Sequence, residues 1–301
     1  MAKNQITDRD IQVAISVYKY RYLTTAQIQR LHFTGSTQMA YRRLRVLIAG
    51  DYLMPFNAPG IDERIYCLAQ NGVQMVASAL RVSPEDLNWT RPTRMPKDYY
   101  FLRHFIQLND FRITLTQACE ASEDVSLLGF IPEYYGQPTV DGGVRKYIRD
   151  VVCDMHDIAR RINHTPDGVT ALSQHGTAAL FFIEIDRGTE VVSNEEKGFL
   201  KAIRFYLNYL VDEKRPYQRY CEDFKCAPFK GFRLLFVTTS TTRLDNMRQA
   251  ATTLEFHYAK AKRFIWLTTF DQIATHDLFH PIWLSADAAD EQRYHIISPQ
   301  T

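Results

Sequence analysis

The sequence predicts an α/β (α+β) chain of two domains, and three observations carry the prediction. The first eighty residues read as short amphipathic helices followed by two short strands. From Asp98 onward, helical periodicities alternate with short apolar runs, the pattern of a mixed sheet flanked by helices. Between the two lies a stretch with Pro84, Pro92 and Pro96, too rich in proline for a regular element. The expected boundaries are 1–80, a linker over 81–97, and 98–301 with an insertion at 135–164. A chain of 301 residues that is 46% apolar has enough material for two cores. Its formal charge of +2 means that any basic surface must be local. Cys67, Cys119, Cys153, Cys221 and Cys226 follow neither a disulfide framework nor a zinc pattern, so reduced thiols are expected. The polar start and the lack of a long apolar run argue against a signal peptide or a membrane span, and a cytoplasmic location is expected.

Thr7-Asp8-Arg9-Asp10 is a start signal for the first helix, which buries Ile11, Ala14, Ile15 and Val17. Thr24-Thr25 caps a second, short helix through Leu31. Gly35-Ser36-Thr37 turns into a third, from about Thr37 to Ala49. Ala40, Leu44, Leu47 and Ile48 share one side of it; Gln38, Tyr41, Arg42 and Arg45 share the other. Tyr52-Leu53-Met54 and Arg64 to Leu68 make a hairpin around Pro59-Gly60, and a helix from Asn71 to Leu80 closes the module.

Three helices followed by a hairpin is the winged-helix order, in which the third helix enters the major groove of double-stranded DNA. Charge agrees with that expectation. From Ile11 to Gly50 there is no acid, against six Lys or Arg residues. Such a face attracts phosphates. Arg42 and Arg45, with Gln38 and Tyr41 beside them, are the expected base readers, and Arg43 the expected phosphate contact. The competing interpretation is a protein-packing module whose arginines are merely solvated.

In the second domain, Tyr99 to Ala118 reads as a long, largely buried helix with His104, Asn109 and Asp110 as polar exceptions; His104 is expected to be a satisfied core histidine. Val125 to Ile131 is a strand ending at Pro132-Glu133. Val144, Ile148, Val151, Met155, Ile158 and Ile162 recur at gaps of three and four, which predicts an inserted amphipathic helix, with a loop-rich insertion as the alternative. Pro166-Asp167-Gly168 leads into a strand. The run Ala178 to Ile183 is a buried strand that ends in Glu184-Ile185-Asp186, both acids on one face. Two acids beside so apolar a run need a cation, a basic partner or solvent. Ser193 and Glu196 form a capping box for a helix whose Lys197, Lys201, Arg204 and Asn208 make a stripe. That stripe is either a solvated face or a phosphate contact. Strands at 231–237 and 263–267 flank a helix over 242–261, and the tail beyond Asp271 receives no role.

Pro-Asp ahead of an acidic strand end resembles the core of the PD-(D/E)XK nucleases. The resemblance implies Asp167 and Glu184 as ligands of Mg²⁺ or Mn²⁺, the carbonyl of Ile185 as a third, and a helix acid such as Asp110 or Glu120 nearby. It implies catalytic roles for Asp167, Glu184 and the position of Asp186, where a lysine is usual; Lys197 or Lys201 would supply that lysine from the next helix. Lys201 and Arg204 would meet the DNA backbone. The alternative for the three acids is a structural charge network, with Arg187 as a partner.

The chain from Thr7 to Leu210 also resembles the replication-relaxation family of plasmid and integrative-element proteins. The residues that carry this are Thr7 to Asp10, Tyr41-Arg42-Arg43-Leu44, His104 with Asn109-Asp110, Pro166 to Gly168 and Phe182 to Glu190. It implies a DNA-binding protein of a plasmid or mobile element, working with replication or transfer proteins, as a monomer or a homodimer. The other expectations are an active metal-dependent endonuclease and a transcriptional regulator or interaction scaffold.

Overall fold

The computed structural model describes residues 5–58, 60–87, 89, 99–138, 144–157, 159–189, 191–192, 198–254 and 264–297. Lys197, the capping box at 193–196, Pro59, Pro92, Pro96, Ile158 and the stretch 255–263 lie outside them. The fold is mixed α/β, with nine α-helices and a seven-stranded mixed sheet among the described residues. The chain divides into two compact units, Met1–Ile113 and Thr114–Thr301.

In the first unit, α1 (Asp8–Tyr20) starts at a capping box. The Thr7 hydroxyl accepts from the Asp10 backbone while the Asp10 carboxylate accepts from the Thr7 backbone. α2 (Thr25–His32) repeats the device with Thr24 and Gln27, and α3 (Thr37–Ala49) is capped by Ser36. The strands β1 (Leu23–Thr24), β2 (Leu53–Ala58) and β3 (Ile61–Leu68) form a sheet in the order β1-β3-β2, and α4 (Gln70–Leu80) follows. Val13, Val17, Ile28, Leu44, Leu47, Leu68 and Val76 build one core, with Trp89 of the connecting stretch packed against it.

α5 (Tyr99–Ala121) belongs to the first unit as far as Ile113. Leu102 packs with Ala58 and Ile65, and Phe105 meets the Tyr22 ring edge-on. Asn109 Nδ2 donates to the carbonyls of Tyr20 and Tyr22, closing the end of α1. Asp110 accepts from Gln27 and pairs with Arg30 at 3.3 Å. Asn109 and Asp110 thus take part in this unit's architecture.

The second unit is organised on the sheet β14-β13-β12-β11-β10-β9-β4. β4 (Val125–Pro132), β9 (Gly168–Gln174) and β10 (Thr177–Ile185) are antiparallel neighbours; β11 (Phe232–Thr238) and β12 (Ile265–Thr269) continue in parallel from β10. β13 (Trp283–Ser285) and β14 (Arg293–Tyr294) extend the sheet antiparallel, so the tail supplies two edge strands. α6 (Gly198–Val211), the short α7 (Tyr220–Phe224) and α8 (Thr241–Ala251) bury one face, with Phe182, Phe232 and Leu234 under Ile203, Tyr206 and Met247. α9 (Phe270–Thr275) follows β12.

Among the described residues the insertion forms short strands rather than the expected amphipathic helix. β5 (Gly136–Pro138) pairs with β6 (Val144–Lys146), and β7 (Asp150–Cys153) with β8 (Arg161–His164), all antiparallel. Val152 and Ile162 face each other in register and are buried, while Val151 is exposed. The expected helical spacing thus joins residues of separate short strands and of the turn that holds Ile148.

Candidate functional site

The register of the β9–β10 hairpin sets the site. Gly168 pairs with Ile183 at the open end of the hairpin, so Asp167, just before β9, and Glu184, near the end of β10, lie at the same end of it. Hydrogen bonds to its neighbours hold Asp167. Its amide donates to the Ile183 carbonyl at 3.0 Å, its carbonyl accepts from Glu133 at 2.9 Å, and its Oδ2 accepts from the Ile185 amide at 2.6 Å. Gly168 is required next to it, because a Cβ there would lie 2.5 Å from the Phe130 ring. The Glu133 and Asp167 carboxylates come within 4.8 Å of each other. Glu133 also pairs with Lys146 at 2.8 Å.

Glu184 follows the buried Phe182 on the face that α6 covers. Two donors meet its Oε1: His164 Nε2 at 2.6 Å and the Tyr206 hydroxyl at 3.0 Å. Burial pushes the Glu184 carboxyl up, and the charge and hydrogen bond of His164 offset only part of this. Burial pulls His164 down, but the Glu184 carboxylate outweighs it, with Asp167 helping and Lys201 opposing, and the imidazole ends above its usual range. The Tyr206 phenol is raised well above normal by burial and by Glu184. Asp167, Glu184, His164, Tyr206 and Lys201 therefore form one electrostatic neighbourhood in the second unit.

Asp186 is not part of it. Its carboxylate takes a two-pronged contact from Arg243, Nε and Nη2 each at 2.9 Å, and accepts from Thr238 Oγ1 at 2.6 Å. Its amide donates to Val237, so it faces β11 and α8. This acid's cationic partner is thus Arg243. Glu120 sits at the end of α5, just before β4, whose first residue pairs with Gln174 at the far end of β9 from Asp167. That placement corrects the expectation that Glu120 joins the site. Lys201 is exposed and Arg204 half-buried on α6. Asn208 is buried and accepts from the Met155 amide at 2.7 Å, which takes it out of the expected stripe.

In the first unit, Gln38, Tyr41, Arg42 and Arg45 of α3 are all exposed. Arg43 is not with them. Its guanidinium is bound to Asp10, which is wholly buried, with Nε at 3.0 Å from Oδ1, and it donates to the Gln5 carbonyl. The expectation of a phosphate contact at Arg43 is therefore replaced by a structural ion pair.

The match to a family model decides the affiliation. This chain belongs to the replication-relaxation family. The model, described as Replication-relaxation, covers residues 15–232, from within α1 to the start of β11. A search among curated proteins finds no match. The replication-relaxation match runs through both units and includes α3, Asp167 and Glu184. Among the described residues, no helix is long and apolar enough to cross a membrane.

The Asp167 carboxylate accepts from the Ile185 amide, and that of Glu184 from His164 and Tyr206, so both acids are engaged by the chain's own donors. His164 was missed from the sequence; the signal was its position three residues before Asp167, at the end of a short strand.

Proposed function

We propose that this replication-relaxation protein binds double-stranded DNA for a plasmid or mobile element, through a winged helix in the first unit, and carries a PD-(D/E)XK-like nuclease core in the second. The observation that carries this is the α3 face. Gln38, Tyr41, Arg42 and Arg45 are exposed together on a helix with no acid, and a three-stranded sheet with a β2–β3 hairpin follows the pattern of a wing. The second unit supports the nuclease likeness by its order: three antiparallel strands, a helix and a parallel strand, with Asp167 and Glu184 at the open end of the β9–β10 hairpin. A homodimer and contacts with replication or transfer proteins accord with such a role.

The second reading, an active endonuclease, is favoured by Lys201. It lies one helix beyond the acids and is close enough to influence His164, where a lysine displaced from the position of Asp186 would act. A divalent cation at such a site lowers the pKa of a water for attack on phosphorus. The chain's own part is to orient the carboxylates and to place the Lys201 ammonium near the phosphate.

The test is a binding titration on random duplex DNA at several salt concentrations, with a parallel incubation of supercoiled plasmid with Mg²⁺ or Mn²⁺. Salt-sensitive binding that Arg42→Ala and Arg45→Ala weaken supports the binding function. Nicking that Asp167→Ala and Glu184→Ala abolish supports the endonuclease. Binding unaffected by both arginine variants refutes the assignment of α3.

A further inference from the structure

We infer that the β7–β8 ribbon of the insertion makes a second contact with duplex DNA, through Arg149 and Arg161 on phosphates. This inference rests on the proposed DNA binding and extends it to the second unit. β7 and β8 pair antiparallel, with Val151 opposite Asn163 and Cys153 opposite Arg161. Residues paired in this way share a face, and all four are exposed. Arg149, just before β7, joins them. Its Nη2 donates to Asn163 Oδ1 at 3.1 Å, which holds the guanidinium over the neighbouring strand. Arg160, just ahead of β8, is exposed as well.

The other face fastens the ribbon to the unit. Val152 and Ile162 are buried in the core that includes Ile203 and Tyr206 of α6. Asp150 shares that inner face: it accepts from the Tyr209 hydroxyl at 2.7 Å and pairs with Arg219 at 3.2 Å. Asp154, just past β7, is buried. Among the described residues of the ribbon, the exposed acid is Asp157 in the connecting turn, against Arg149, Arg160 and Arg161. The acids are thus turned inward or confined to the turn, and the outer face keeps the guanidinium groups.

A duplex suits this face better than a protein does. Its one large apolar side chain is Val151, too little for the apolar centre of a protein interface. Guanidinium groups flanking an amide match phosphate oxygens instead. A two-stranded ribbon also fits the major groove, which is about 12 Å wide. The whole chain carries a formal charge of only +2, so this cationic face is a local concentration rather than a general property.

Cys153 supplies a reporter, because it is an exposed free thiol on this face whereas Cys67 and Cys119 are buried. Iodoacetamide labelling of the full chain, read by peptide mass spectrometry with and without random duplex DNA, is combined with binding titrations across salt concentrations. The duplex is expected to slow labelling of Cys153 several-fold relative to Cys221. The double variant Arg149→Ala, Arg161→Ala is expected to flatten the plot of log affinity against log salt by about 1.8, at about 0.9 per phosphate contact. The double variant Arg149→Lys, Arg161→Lys keeps both charges and the wild-type slope. Bound DNA that leaves Cys153 labelling unchanged, or an alanine double variant with the wild-type slope, overturns the ribbon contact and leaves the assignment of α3 standing. Shielding of Cys153 that grows with protein concentration in the absence of DNA marks a contact between copies and also overturns it. A wild-type chain that binds no duplex overturns the proposed DNA binding and the ribbon together.

Discussion

Arg43 of α3 and Asp10 of α1 form an ion pair in the interior of the first unit, although Arg42 before it and Arg45 two positions on are exposed. Asp10 has no solvent exposure, and its other partners are the amide and hydroxyl of Thr7. Removing the guanidinium leaves a buried carboxylate without the cation that pairs with it. Arg43→Ala is therefore expected to destabilise the chain by about 3 kcal/mol. Arg42→Ala and Arg45→Ala, on the exposed face, should change stability by less than about 0.5 kcal/mol. Urea unfolding of the three variants checks the contrast; equal midpoints would contradict it.

The same pair sets an acid dependence. Burial raises the Asp10 carboxyl, but the hydrogen bonds from Arg43 and Thr7 outweigh it and leave the group below its ordinary value. A depressed carboxyl contributes stability above the unfolded value, about 3.9, and loses it as pH falls through the folded value. The stability gap between wild type and Arg43→Ala should be full at pH 7 and shrink below about pH 4. A gap that stays constant down to pH 3 would assign the pair no electrostatic weight.

His32 titrates in a different window. Burial, reinforced by Arg9, pushes it down to about 4, while its Nε2 lies 2.9 Å from Ser16 Oγ. The unfolded chain takes up the proton first, near pH 6.5. Stability from the neutral ring is complete above that pH and drains away as pH falls towards about 4. Comparing denaturation midpoints at pH 7.5 and pH 5 should show a loss in wild type that is smaller in His32→Gln.

Much of the architecture was readable because its signals are local. Thr7, Thr24 and Ser36 cap their helices through residues three positions on, and the run from Ala178 to Ile183 could only be a buried strand. The pairings that decide the roles of charged residues are distant. Arg43 finds Asp10 33 residues away, and Asp186 finds Arg243 57 residues away. No periodicity reports such a contact. His164 escaped for the same reason, and the insertion was misread because turns between two short hairpins imitate helical spacing.

Arg243 and Asp186 give a sharp separation of structure from chemistry. Their two-pronged contact ties the end of β10 to α8. Arg243→Ala is expected to cost on the order of 3 kcal/mol, since it strands a half-buried carboxylate. Asp186→Asn should cost less, because the amide still accepts from Thr238. Neither change should alter divalent-cation affinity in the folded protein, whereas Asp167→Asn should reduce it. Loss of cation binding in Asp186→Asn would return that acid to the site.

The two basic surfaces should respond differently to salt. On the proposed function Arg42 and Arg45 read base edges, so each alanine variant should cost about 1–3 kcal/mol on a preferred sequence and relax the preference at that position. Their effect on random DNA should be smaller. Lys201, exposed on α6, would meet phosphate alone. Its alanine variant should weaken binding evenly across sequences and flatten the plot of log affinity against log salt by about 0.9. Selection from a random duplex pool followed by salt titrations measures both. If Lys201→Ala changes sequence preference while Arg42→Ala changes only the salt slope, the roles assigned to α3 and α6 are reversed.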